Sequence, residues 1–324
     1  MDEAALLNAI VANPDDDTPR LVYADWLDDH GQSPRAEFIR TQIELARLTD
    51  DDPRRPALQA REAELLRANE RSWAPDNHLA LFFKWRRGFV AVLDPCARGV
   101  FGGDDGLKIL AEFPTAEELQ IGFCMWDEEF CHMPVLPNLR SFGVGGNVGI
   151  TDTSIRRIGK WKTLRRLRLN GSQFTDTTLT HLAGLTNLRE LDLSYTRVAD
   201  DGLALLASLS QLEVLDLTRT GVTGRGLASL SKLPRFRCLN LTDTMCWQAG
   251  IRGLAGGRAL EELRVGTEWC GRAVVEADLQ VLPSLPALRV LDLGHWCELS
   301  DAFVASLRER LPLRELWFNR QQHV

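Results

Sequence analysis

The chain has 324 residues, 44% hydrophobic and 26% charged, with a formal net charge of −7. This is the composition of a folded globular protein, not of a disordered or fibrous one. With no basic excess in any large part of the chain, the sequence argues against nonspecific nucleic-acid binding, although a local basic patch stays possible.

The charge is placed unevenly. Residues 1–75 hold 9 Lys and Arg against 16 Asp and Glu, while the rest of the chain is balanced. Seven cysteines, an odd number with no CxxC pair, suit reduced thiols better than a disulfide framework. The first residues, MDEAALLNAIVANPDDD, are acidic before a short apolar segment, the reverse of a secretory signal. No stretch reaches the roughly 18 apolar residues of a membrane span. The expectation is a cytoplasmic protein with neither a membrane nor a nucleic-acid partner.

In chain order, Ala4 to Val11 reads as a short helix. Asp15, Asp16 and Asp17 then precede Thr18-Pro19, a helix start with a hydroxyl cap and proline at the first helical position. Negative charge is favoured there by the helix dipole. The run lacks the alternating ligands and glycine of a calcium loop. Gly31 suits a left-handed helix end, Ser33-Pro34 repeats the start signal, and Pro53 to Arg71 reads as a fourth helix. The segment Glu3–Arg40, with "LLNAIVANPDDDTPRLVYADWLDDHG" and "PRAEFIR", resembles the bacterial repeat-companion domain. That resemblance implies that repeats follow; it carries no activity and no catalytic residues.

Repeats do follow. Units start at Leu164, Leu188, Leu212, Phe236 and Leu260, each 24 residues apart, and then at Leu288 and Leu313. Looser copies lie upstream at Leu139 and around Leu119, and "GFVAVLD" from Gly88 reads as a first strand. L-x-x-L-x-L at a fixed period is the signature of leucine-rich repeats, and "FTDTTL" or "VADDGL" resembles their TDxGL class. In Leu191-Asp192-Leu193 the leucines point inward and the aspartate outward. Asn147, Ser172, Thr196, Thr220 and Thr244, eight positions into successive units, are placed to satisfy backbone groups of adjacent turns. The expected fold is α/β: a right-handed leucine-rich-repeat solenoid over 76–324, of about eight to nine units, with a parallel sheet on the concave face and helices on the convex face. An all-α domain over 1–75 is expected to cap it. The tail "NRQQHV" looks like a poor cap for the other end, leaving an exposed edge or one covered by a partner.

No GxSxG, HExxH or phosphate-cradling loop appears, and Cys124, Cys131 and His132 lack a second ligand pair at zinc spacing. Neither a cofactor nor a metal is expected. The outward column Arg168, Asp192, Asp216 and Arg264, flanked by Tyr195, Arg219, Asp243 and His295, forms a mixed-charge strip without converging groups. Trp247, Trp269 and Trp296 fall in the loops leaving the strands, and Trp269 and Arg272 lie in the extra length of the unit from Leu260. Insertions in repeats map to one face, and Trp and Arg are enriched at interface hot spots. These residues are the expected contact surface of a non-enzymatic protein-binding scaffold, centred on Trp269. Two other readings stay open: an adaptor that docks a second protein on its acidic N-terminal helices, and a cysteine-dependent enzyme.

Overall fold

The computed structural model describes residues 2–73, 81–95, 110–122, 126–145, 149–171, 173–246, 251–267, 274–295, 297–319 and 321–322. The chain divides into two compact units, Met1–Gly122 with His132–Ser141, and Phe123–Cys131 with Phe142–Val324. The change in composition near residue 75 therefore does not coincide with this division.

The first unit opens with four helices, α1 (Glu3–Ala12), α2 (Thr18–Asp29), α3 (Ser33–Arg47) and α4 (Arg55–Trp73). Leu6, Ile10, Tyr23, Ala24, Leu27, Ile39 and Ile43 form their shared core. Phe89 joins that core from a hairpin of β1 (Leu81–Arg86) and β2 (Phe89–Pro95), the latter pairing parallel with β3 (Glu118–Ile121). The hairpin escapes sequence reading because its turn is Arg87-Gly88, with φ of 52° and 85°. A two-residue turn with both φ positive matches strand twist, and arginine at its first position hides the signal. Gly88 also meets Ile39 so closely that a Cβ would lie 2.3 Å from it. Its N–H donates to Gln42 Oε1 at 2.6 Å, and Gln42 donates in turn to Glu62.

The acidic run does more than start a helix. Asp16 Oδ1 accepts the Thr18 N–H at 2.8 Å, so the cap of α2 is this carboxylate rather than the Thr18 hydroxyl. That bond holds the Asp16 carboxyl below its ordinary pKa. Asp17 pairs with Arg47 at 2.9 Å and Arg87 at 3.5 Å, and Asp15 pairs with Arg140 at 2.7 Å. The run thus ties together a helix, a hairpin turn and a later loop. Gly31 takes φ of 75° after α2, as a helix end requires. Asp16→Ala is expected to lower the melting temperature slightly, through loss of this cap, and to leave calorimetry with calcium flat. Calcium binding that this change removes would mean that the run is a metal site.

The second unit is a run of repeats. It contains α5 (Asp127–Phe130), β4 (Ser141–Val144), α6 (Asp152–Ile158), β5 (Arg166–Arg168), α7 (Asp176–Leu182), β6 (Glu190–Asp192) and α8 (Asp200–Leu203). There follow β7 (Val214–Asp216), β8 (Cys238–Asn240), β9 (Glu262–Thr267), β10 (Val274–Val275), β11 (Val290–Gly294), β12 (Cys297–Glu298), α9 (Asp301–Arg310), β13 (Glu315–Phe318) and β14 (Gln321–Gln322). From β5 the strands β6, β7, β8, β9, β11 and β13 pair parallel in that order, and β10 pairs separately with β12. Leu191, Leu193, Leu215 and Leu217 are buried to within 1%. Phe130, Phe142 and Trp161 fill the early end of the unit with rings 4.9 to 6.2 Å apart.

Opposite the sheet, helix gives way to tighter turns as the caps change. Thr151 and Thr175 cap α6 and α7, each accepting the N–H two residues on. Where Gly224 replaces the aspartate that follows the capping threonine, residues 225–232 wind as 3₁₀ helix. The Thr-Asp pair also works across units. Asp127 accepts the N–H and hydroxyl of Thr151 and the hydroxyl of Ser154. Asp152 does the same for Thr175 and Thr178. Asp176 accepts the Ala199 N–H at 2.7 Å. Asp200 accepts the Thr223 N–H and hydroxyl and the N–H groups of Gly224 and Gly226. Each helix-start carboxylate therefore caps the next repeat.

Two sequence expectations are corrected. Thr196, Thr220 and Thr244 donate to the carbonyls of Leu193, Leu217 and Leu241 at 2.6 to 2.7 Å, within their own turns and not across to the next. Asn147 and Ser172 lie outside the described residues. The tail does not leave β13 bare, because β14 returns antiparallel along Trp317 and Phe318 after Asn319 turns at φ 51°.

Candidate interaction surface

The parallel register aligns Arg168, Asp192, Asp216, Asn240, Arg264, Asp292 and Trp317 as one column across neighbouring strands. Part of this column is structural. Asp192 Oδ1 accepts the N–H of Ser194, and Asp216, Asn240 and Asp292 do likewise for Thr218, Thr242 and Gly294. These bonds fix the turn by which each strand leaves the sheet. Asn240 also donates to Asp216 Oδ2 at 3.1 Å, and Arg264 is held by Glu262 at 2.6 Å. Arg168 is exposed.

The turn itself carries the more informative residues. Gly171 takes φ of 80° there, and one period later Tyr195, Arg219 and Asp243 take φ of 59°, 54° and 55°. Each N–H bonds a carbonyl of the next strand's turn, at Thr218, Thr242 and Gly266, so neighbouring repeats hold this conformation. For a residue with a Cβ, left-handed backbone costs about 1–2 kcal/mol. Three successive repeats accept that cost where glycine would avoid it, and backbone held this way is enriched at functional sites. The side chains make a chain of contacts. The Arg219 guanidinium lies 5.1 Å from the Tyr195 ring centre, and its Nε donates to Asp243 Oδ2 at 3.0 Å. Asp243 is nearly buried, while Tyr195 is 52% exposed.

Beside this row the sheet opens into a groove of about 290 Å³. It brings together Tyr195, Arg219, Asp243, Arg264 and His295, with Asp292 at its floor. A second hollow of about 360 Å³ takes Asp216, Arg264 and the exposed Val214. Arg168 and Asp192 line neither. Trp247, Trp269, Arg272 and Trp296 lie outside the described residues. Met245, 68% exposed just past Asp243, is an edge residue that sequence reading overlooked. Nothing in its periodicity marks it, since it falls in the irregular part of the unit.

Cys238, Cys246 and Cys297 are the reverse of activated. Burial, with Glu262 beside it, pushes Cys238 up to about 11. Burial pushes Cys246 and Cys297 up to about 12. Cys297 donates to the Leu293 carbonyl at 3.1 Å, whereas a nucleophilic cysteine needs a lowered pKa. Cys124 lies outside the described residues. Among the described residues no three His, Cys, Asp or Glu side chains gather as metal ligands, and no helix is long and apolar enough to cross a membrane.

A family model described as a leucine-rich repeat matches residues 184–207. No curated protein matches the chain. Among solved structures, an internalin of Listeria monocytogenes is 20% identical with a TM-score of 0.47, covering 63% of this chain and 55% of that one. A leucine-rich-repeat protein of Leptospira interrogans is 19% identical with a TM-score of 0.43, covering 64% of this chain and 52% of that one. The chain spans about half the length of these proteins. The matched segment contains β6, its exit turn and α8, and the same pattern recurs at each 24-residue step from Leu164. Residues 184–207 thus match a leucine-rich repeat, and the repeats around them have the fold of a leucine-rich-repeat solenoid.

Proposed function

We propose that the protein is a non-enzymatic scaffold that binds a polypeptide on the strand face and strand-exit edge of its repeats, centred on Tyr195, Arg219 and Asp243. The observation that carries this reading is the row of three non-glycine residues in left-handed backbone, joined to one another above an open polar groove. An exposed tyrosine stacked on an arginine is the composition of an interface hot spot. Val214, Met245 and Trp317 add exposed apolar area, as a polypeptide partner needs and a small polar ligand does not. His295 of the groove belongs to the proposed surface, and the proposal also includes Trp247, Trp269, Arg272 and Trp296, which lie outside the described residues. Arg168, Asp192, Asp216 and Arg264 extend it along the strands. A cytoplasmic location is part of the proposal. So is the capping of the repeats by residues 1–75.

The adaptor reading is weaker, because several of the acidic side chains it needs are paired within their own unit. Asp15 and Asp17 pair with arginines of their own unit, and Arg40 bridges Asp25 and Asp28 at 2.6 and 2.7 Å.

Tyr195→Gly separates binding from folding. Glycine tolerates φ of 59°, so melting temperature should hold or rise by the equivalent of about 0.5 kcal/mol. Capture of the native partner should fall by more than ~tenfold, or ~1.4 kcal/mol. Unchanged capture with a lowered melting temperature would mean that the tyrosine serves the fold alone.

A further inference from the structure

We propose that an aromatic-walled pocket in the first compact unit binds a monocarboxylate carried on an apolar or aromatic group, with the Arg35 guanidinium as the group that holds the anion. The pocket has a volume of about 390 Å³ and is separate from the repeat groove. Its walls include Trp73, Trp85, Phe89 and Phe113, with Leu7 and Val11 from α1. That volume lies in the range of small-ligand sites, and so does its make-up of apolar walls with few polar groups.

Arg35 is the residue that the rest of the unit does not explain. Its guanidinium carbon lies 4.8 Å from the Trp85 ring centre, 4.9 Å from Trp73 and 5.6 Å from both Phe38 and Phe89. Its Nη1 is closed to solvent and has no hydrogen-bond partner. Other arginines of the same unit, Arg40, Arg47, Arg61 and Arg86, each hold at least one carboxylate. Ring faces stabilise the charge of a guanidinium but leave its planar fork of donors unused. Such a fork matches a carboxylate through two parallel bonds. Burial without a carboxylate lowers the Arg35 pKa to about 10, so the group is still charged at neutral pH.

The charge pattern selects the ligand. Among the described lining residues there is one cation, and the exposed Glu112 stands at the rim. A single negative charge matches the one cation, whereas a phosphate dianion would add a second, unmatched charge to that of Glu112. The apolar walls call for a hydrophobic body behind the carboxylate. Two sources carry that chemistry: a free small acid, and the C-terminal residue of a polypeptide.

The test titrates the full chain with N-acetyl-phenylalanine, its C-terminal amide, phenyl phosphate, and a hexapeptide ending in phenylalanine with a free or amidated terminus. Tryptophan fluorescence and calorimetry report binding. The free acids should bind, and the amides and phenyl phosphate should bind at least ~tenfold more weakly. Arg35→Lys keeps the charge and loses the fork, and should weaken the acids by about tenfold. Val11→Trp fills the pocket without touching Arg35, and should abolish binding even if the arginine variant fails to fold. Glu112→Gln should strengthen it. Tighter binding of the free-terminus peptide assigns the site to a chain terminus, and equal binding assigns it to small acids. The proposal is overturned if no acid binds, if amides bind as well as acids, or if Val11→Trp binds like the parent.

Discussion

Leu193→Ala is expected to lower the unfolding free energy by about 2–5 kcal/mol, the range for truncating a fully buried leucine. Leu193 is 0% exposed and stacks in register between the corresponding leucines of its neighbours, Leu169 and Leu217, which are equally buried. A repeat contacts only its neighbours, so the cavity cannot be filled from elsewhere in the chain. Denaturant unfolding followed by circular dichroism measures the change. A loss below about 1 kcal/mol would mean that the inward register of the strands is wrong, since even an Ile-to-Val trim in a core usually costs that much.

Asp200→Ala should be almost as severe, at about 3 kcal/mol, because it strips the acceptor from four donors at once. Asp176→Ala removes one described acceptor bond and should cost about 1 kcal/mol. The ladder also sets the acid limit of the array. For Asp200, burial pushes the carboxyl up, but the Thr223 hydroxyl and the Gly226, Thr223 and Gly224 N–H groups outweigh it, leaving the pKa below its ordinary value. Asp127 follows the same balance, with Ser154 and Thr151 as its donors. A carboxyl with a lowered folded pKa contributes stability that is complete above the unfolded value, near pH ~4. That contribution is lost as pH falls through the lowered folded value. Parent protein should therefore lose stability steeply below about pH 4, and Asp200→Ala should flatten part of that loss. Parallel pH profiles for the two proteins would show that the carboxylate is not held as described.

The repeat array was legible because its signal is arithmetic. Leucines at a fixed spacing declare which side chains stack, and the paired strands follow that spacing from Arg166 to Arg264. Thr-Asp pairs were legible as helix starts, but not as links between repeats, because a sequence shows neighbours along the chain and not neighbours in the stack. The β1–β2 hairpin was hidden by Arg87 at a position where asparagine or glycine is the usual sign. For the same reason the exit turn did not stand out. Their spacing places Tyr195, Arg219 and Asp243 as outward side chains, and only the dihedral angles show their left-handed backbone. Asp192 and Asp216 looked like open partner contacts, yet one oxygen of each is committed to its own turn.

The most direct measurement is site-specific crosslinking. Photoreactive phenylalanine placed at Tyr195, and separately at the exposed Arg252 within a 3₁₀ turn on the other side of the repeats, is irradiated in the native cell. The account predicts one discrete polypeptide adduct from position 195, absent from position 252 and lost when Arg219→Ala is added. Adducts from position 252 alone, or from neither position, would contradict it.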